Sequence, residues 1–145
     1  MRAPLAHTSS TLFGISLTSR NQEGVFALLK FFWPLALKHG WRHIYLGSPV
    51  PGLRDWRRVN PHRPIDDYVG ARRGSVPLDP QLRYYRSRGF TKIVSIKPNY
   101  FPHERSLDYG VILRGAVPLS TFAPLWAALP VPFLQRVTQA LAARL

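Results

Sequence analysis

The stretch "DPQLRYYRSRGF", residues 79–90, decides how the rest of the chain is read. Asp79 before Pro80 marks a helix start. The carboxylate can accept from the first free backbone N–H groups, and proline's missing donor costs nothing at the first helical position. Gly89 is the matching stop, because glycine takes the left-handed backbone that closes a helix without a Cβ clash. Between these signals stand Tyr84 and Tyr85 among Arg83, Arg86 and Arg88. Two readings compete: an aromatic, basic strip that grips nucleic acid, or a helix with one tyrosine kept for chemistry.

Working outward, "FTKIVSIKPNYF" and "LDYGVILRG" read as two strands joined by "PHERS", a length suited to a hairpin. Upstream, "TLFGISL" alternates Phe13, Ile15 and Leu17 against Leu12, Gly14 and Ser16, the period of a strand. "VFALLKFFWPLALKH", residues 25–39, crowds apolar residues into a largely buried helix, kinked near Pro34 and stopped at Gly40. "WRHIYLGSP" returns to strand character, giving a βαβ unit whose strands are expected to run parallel. Residues 50–78 are dense in proline, glycine and arginine and read as a long excursion with at most one helical turn, around "IDDYVGARR". After Pro118, "STFAPLWAAL" and "PFLQRVTQALAARL" read as helices, the second with Phe133, Leu134, Val137, Ala140 and Leu141 on one face. The fold class is therefore α/β: a mixed α+β sheet in the order β-α-β, long loop, α-β-β, then C-terminal helices. The expected division is 1–118 for the sheet domain, with the excursion at 50–78, and 119–145 for a helical extension.

Composition bounds the chemistry. Twenty Lys and Arg against seven Asp and Glu give a formal charge of +13, a field that attracts polyanions: nucleic acid, anionic lipid or a phosphate-bearing cosubstrate. The arginines are scattered, with no run long enough for a basic tail. There is no cysteine, which excludes disulfides, thiolate metal sites and cysteine nucleophiles. The five histidines are far apart and show no HExxH spacing, so no metal site is expected. "GAVPLSTFAPLWAALPVPFLQ", residues 115–135, is uncharged and long enough for a bilayer. Its four prolines, at 118, 124, 130 and 132, instead point to short packed helices, and the chain is read as cytoplasmic with no membrane partner.

With these elements in place, the order of "LFGISL", "SRNQEGVF", "WRHIYLGSP", "DPQLRYYRSRGF", "KIVSIKPNYF" and "DYGVILR" resembles the second half of the Gcn5-related N-acetyltransferase (GNAT) family. The likeness covers roughly residues 11 to 114 and is most specific over 79–113. It also resembles members with a long insertion after the fifth family strand, here residues 50–78. It implies acetyl-coenzyme A as cosubstrate, with pyrophosphate held at a helix start by Arg20, Asn21, Gln22, Gly24 and Val25. Physically, free N–H donors and the positive end of a helix suit a phosphate, and a glycine lets the backbone approach it. Phe26 departs from the family's small residue, and Glu23 adds a negative charge.

Tyr85 matches the family tyrosine that meets the departing sulfur during acyl transfer to an amine. A thiol near pKa 8.5 is a stronger acid than a phenol near 10, so full proton transfer is uphill by about 2 kcal/mol at reference values. Arg83, Arg86 and Arg88 are expected to lower the phenol's pKa and narrow that gap. A purely structural tyrosine, its ring packed on the sheet, explains the same residue. Gly47 and Ser48 are candidates for lining the acyl channel. The competing RNA-recognition signature fails after Arg88-Gly89-Phe90: Thr91 and Lys92 follow, Ser95 stands at the final aromatic position, and the stacking platform is missing.

The expected function is thus acetyl transfer from acetyl-coenzyme A to an amine. The alternatives are a degenerate scaffold acting as an interaction module, or a basic nucleic-acid-binding domain. The resemblance lacks the strands and helices ahead of "LFGISL", so the expectation is either a truncated member of that family or a half whose exposed first strand is covered by a partner protein or by self-association.

Overall fold

The computed structural model describes residues 11–14, 22–120 and 123–144. Its elements in chain order are β1 (Thr11–Gly14), α1 (Gln22–His39), β2 (His43–Pro49), α2 (Leu53–Val59), α3 (Ile65–Gly70), β3 (Arg72–Arg73), β4 (Val76–Pro77), α4 (Pro80–Ser87), β5 (Lys92–Lys97), β6 (Gly110–Ala116), α5 (Ala123–Ala127) and α6 (Val131–Ala142). The fold is mixed α/β, as the sequence leads one to expect. A four-stranded sheet takes the order β1-β2-β6-β5, and β3 and β4 form a separate antiparallel pair. β1 lies at one edge of that sheet, and residues 15–17 of the expected strand fall outside the described residues.

By internal contacts the chain divides into unit 1 (Met1–Phe13, Thr18–Ile44, Ala116–Leu145) and unit 2 (Gly14–Leu17, Tyr45–Gly115). In unit 1, α1 packs on α5 and α6. Pro34 lies inside α1, which closes at Gly40 with φ +70°. The core gathers Ala36, Leu37, Val117 and Leu134, with Trp33, Trp41 and Trp126 packed against it. α1 begins at Gln22, three residues before the apolar run that announced it, so Gly24 falls within its first turn.

Unit 2 is built around α4 and the β5–β6 hairpin. The hairpin is antiparallel, pairing Lys92 with Arg114 and Lys97 with Gly110, with a bulge between Ile93 and Ser95. β5 stops at Lys97, not Phe101, so the connection is residues 98–109 with a 3-10 turn at Glu104–Ser106. That loop is pinned inward. The Ser106 hydroxyl accepts from Val50 N–H at 2.9 Å and lies 2.7 Å from His103 Nδ1. The Asp108 carboxylate accepts from His103 N–H at 2.8 Å.

The excursion differs most from its sequence reading. Two helices and a small hairpin replace the single turn. Both helices are short and lack a side-chain cap, so tertiary contacts hold them. Leu53, Ile65, Tyr68 and Val69 are buried, and the Tyr68 hydroxyl reaches Asp79 at the head of α4.

Candidate functional site

α4 carries the candidate tyrosine and is fixed at both ends. Asp79 sits at its N-cap and its carboxylate accepts from Gln81 N–H at 2.8 Å and Leu82 N–H at 3.2 Å. The other oxygen accepts from the Tyr68 hydroxyl at 2.6 Å and Gly52 N–H at 3.2 Å. The carboxylate is fully buried, so it ties both ends of the excursion to the helix that carries Tyr85. The sequence announced the cap; the two long-range bonds had no local signal. Gly89 closes the helix with φ +94°.

Tyr85 is 1% exposed, its ring edge-on to Tyr84 and Phe90 at centroid distances of 5.4 and 6.0 Å. Its hydroxyl is buried without a hydrogen-bond partner among the described residues. Burial pushes the phenol above its ordinary value, a smaller opposing pull comes from the Gln81 side chain, and Tyr84 adds to the rise. No hydrogen bond of acceptable geometry joins the Tyr85 hydroxyl to the Gln81 side chain, so that pull is the weaker one. The expected lowering by the three arginines is therefore overturned. Arg83 is spent on the Pro77 and Leu78 carbonyls, at 3.3 and 3.1 Å, and Arg88 lies over the Tyr84 ring, 5.5 Å from its centroid. Desolvation wins.

Gly47 and Ser48 are buried in β2. The space over Gly47 belongs to Tyr100: a Cβ there would lie 2.2 Å from the Tyr100 hydroxyl, and one at Gly110 would lie 2.3 Å from its Cδ1. Two glycines thus accommodate one phenol, a relation that sequence reading missed because Gly47 is more than fifty positions from Tyr100 and Gly110. Ser48 Oγ donates to the Pro49 carbonyl at 2.9 Å.

Of the residues assigned to pyrophosphate, Arg20 and Asn21 lie outside the described residues. Gln22 and Val25 are in α1, with side chains outside those described, and Gly24 is exposed in the same turn. These residues belong to unit 1, whereas Gly47, Ser48 and Tyr85 belong to unit 2. Among the described residues no group of three His, Asp or Glu side chains is placed to hold a metal ion, and no helix is long and apolar enough to cross a membrane.

No protein-family model matches the chain, and no curated protein matches it. Among solved structures it is similar to GphF, a GNAT-like decarboxylase in complex with isobutyryl-CoA. The identity is 27% and the TM-score 0.49 over 68% of this chain. The match takes in 49% of the solved protein, so the chain spans about half of that length.

Proposed function

We propose that the chain is a GNAT-like acyl-coenzyme A-binding domain that transfers an acetyl group to an amine, with Tyr85 as hydrogen-bond donor to the departing sulfur. Two findings support the reading. The elements follow the order that the sequence resemblance requires: β1-α1-β2, an excursion, then α4-β5-β6. The observation that carries it is the Tyr85 hydroxyl, a buried donor with no partner among the described residues. Such groups are rare in folded proteins, and an unused one is a candidate for a ligand's atoms.

In the reaction the amine nitrogen forms a bond to the thioester carbonyl carbon and loses a proton. The carbon–sulfur bond breaks, and the thiolate gains a proton. With its pKa raised, Tyr85 is held neutral but is a weaker acid than in water. It therefore stabilises the developing thiolate by donating a hydrogen bond, and full transfer of its own proton is not required. Arg20, Asn21, Gln22, Gly24 and Val25 are assigned to the pyrophosphate, with free N–H groups at the start of α1 as the donors. Gly47 and Ser48 are assigned to the acyl group, which would have to displace the Tyr100 ring from the space over Gly47.

A second reading rests on the same tyrosine. At 1% exposure its ring already serves as packing, which suits a scaffold that has left catalysis. Calorimetric titration with acetyl-coenzyme A separates the two. Gly24→Asp puts a carboxylate in the first turn of α1, which favours the free helix but repels phosphate, so it should abolish binding without lowering the free protein's stability. Tyr85→Phe removes the orphaned hydroxyl. It should leave binding intact, keep or raise stability, and slow amine acetylation by about 100-fold or more. No heat of binding at millimolar cosubstrate assigns the chain to the scaffold reading.

A further inference from the structure

Tyr100 stands where the acyl group is assigned, and its ring lies across two strands of unit 2. A Cβ at Gly110 would meet the root of that side chain, 2.3 Å from Cδ1 and 2.6 Å from Cγ. A Cβ at Gly47 would meet its tip, 2.2 Å from the hydroxyl and 2.5 Å from Cζ. β2 and β6 are neighbours in the sheet, so the phenol bridges them, its long axis running from β6 to β2. Both glycines are buried, and a larger residue at either would push the ring aside. The slot over them holds one flat group at a time.

The ring, and not its loop, is the part free to move. The loop is tied down: Ser106 Oγ accepts from Val50 N–H, Arg54 pairs with Glu104, and Asp108 N–H donates to the His103 carbonyl at 3.2 Å. Tyr100 N–H donates to the Asp108 carbonyl at 2.9 Å, which fixes its backbone. The side chain has no such tie. Among the described residues its hydroxyl makes no hydrogen bond. The ring is half-buried, held by contact with the two glycines and edge-on to Phe101 at a centroid distance of 5.1 Å. Rotation about the first side-chain torsion to another staggered well clears the slot at the cost of contact area alone.

We propose, on the acyl-coenzyme A reading above, that Tyr100 gates the acyl slot and determines how the site tells acylated from free coenzyme A. An acyl group reaches Gly47 only once the ring has left. The acylated form therefore bears the displacement, and free coenzyme A, with nothing to place in the slot, does not. A binding-competent state populated at about 0.1–10% weakens the acylated ligand by about tenfold or more relative to a slot that stands open.

Tyr100→Leu is the diagnostic variant, because leucine still covers Gly110 but does not reach Gly47. In calorimetric titration of the whole chain, acetyl-coenzyme A should bind Tyr100→Leu about tenfold or more tightly than the wild type. Free coenzyme A should bind both alike. Tyr100→Phe keeps the ring and drops an unbonded hydroxyl, so it should match the wild type for both ligands. Backbone amide shifts give a second readout that needs no variant: acetyl-coenzyme A should move Gly47 and Gly110 in the wild type, and coenzyme A should leave them in place. Thermal unfolding verifies each fold; should Tyr100→Leu fail to fold, the amide shifts carry the test. Unchanged acetyl-coenzyme A affinity in Tyr100→Leu would overturn the gate. So would an equal gain for coenzyme A, or Gly47 and Gly110 amides that do not respond to the acetyl group. In those cases the ligands still bind and the acyl-coenzyme A reading stands. A chain that binds neither ligand in any variant overturns that reading and the gate together.

Discussion

In unit 1 the buried residues are mainly aliphatic; Thr138 donates to carbonyls of its own helix, and the other polar atoms are pegs on backbone carbonyls at or beyond element ends. Trp33 Nε1 donates to Pro118 at 2.9 Å, Trp126 Nε1 to Leu119 at 2.7 Å, and Lys38 Nζ to Ala127 and Leu129 at 2.7 and 2.8 Å. In unit 2 the polar groups sit inside. Asp79, Ser106 and Ser48 are fully buried, and one carboxylate serves four donors. The first arrangement spreads its stabilisation over contact area, which degrades gradually. The second concentrates it in a few atoms whose loss strands several partners at once.

The largest test of that contrast pairs one substitution from each unit. Asp79→Ala removes the cap of α4 and leaves the Tyr68 hydroxyl and the Gly52, Gln81 and Leu82 amides without their acceptor. A lost cap costs about 1 kcal/mol and each stranded buried donor about 1–3, so a total of roughly 4 kcal/mol or more is expected by urea unfolding. Leu134→Ala empties a fully buried site in unit 1 and should cost roughly 2–5 kcal/mol, the spread set by how far the site collapses. The sharper diagnostic is chemical. Asp79→Asn keeps the shape and one acceptor oxygen, so it should recover part of the loss. A result in which Asp79→Asn matches Asp79→Ala would mean that the charge, not the acceptor geometry, holds the excursion.

A middle-sized effect comes from Gly47→Ala. The added Cβ meets Tyr100 at 2.2 Å from its hydroxyl, closer than side chains approach, so the ring must move. Overpacking of this kind costs about 1–3 kcal/mol. Because the obstacle is a single side chain, Gly47→Ala in a Tyr100→Ala background should cost much less, a non-additivity that a double-mutant cycle measures directly. Additive costs would show that the glycine is needed for its backbone and not for the room it leaves.

How legible this molecule is from its sequence follows the range of the forces involved. The cap at Asp79 and the stops at Gly40 and Gly89 rest on residues within a few positions of one another, and each appears where it was expected; the β5–β6 hairpin forms as expected, but with a longer connection, residues 98–109, in place of "PHERS". The excursion does not. α2 and α3 carry no side-chain caps and depend on contacts such as Tyr68 with Asp79, or Val50 with Ser106 across 56 positions. The same limit governs the candidate site. Tyr85 stands out as a sequence position, but the direction of its pKa shift depends on burial and on where three arginines point.

The smallest expected effect concerns alkaline pH and again sets a buried polar atom against surface. Burial first, then the hydrogen bond and charge of Asp79, and last the charge of Asp55, hold the Tyr68 phenol far above its ordinary value. Below about pH 10 folded and unfolded chains both keep that proton, so its contribution is fully present. Above that pH the unfolded chain releases the proton while the folded one retains it, and stability falls as pH rises. Each such phenol adds at most about 1.4 kcal/mol per pH unit to the slope. Tyr68→Phe strips a donor from Asp79 and should be less stable at neutral pH, yet its stability should decline less steeply above about pH 10. Tyr85, raised for the same leading reason, supplies the slope that remains. Urea unfolding at intervals across that range would show the two curves converging. Parallel curves would mean that the Tyr68 phenol ionises as readily in the folded chain as in water, and that the buried bond to Asp79 does not constrain its proton.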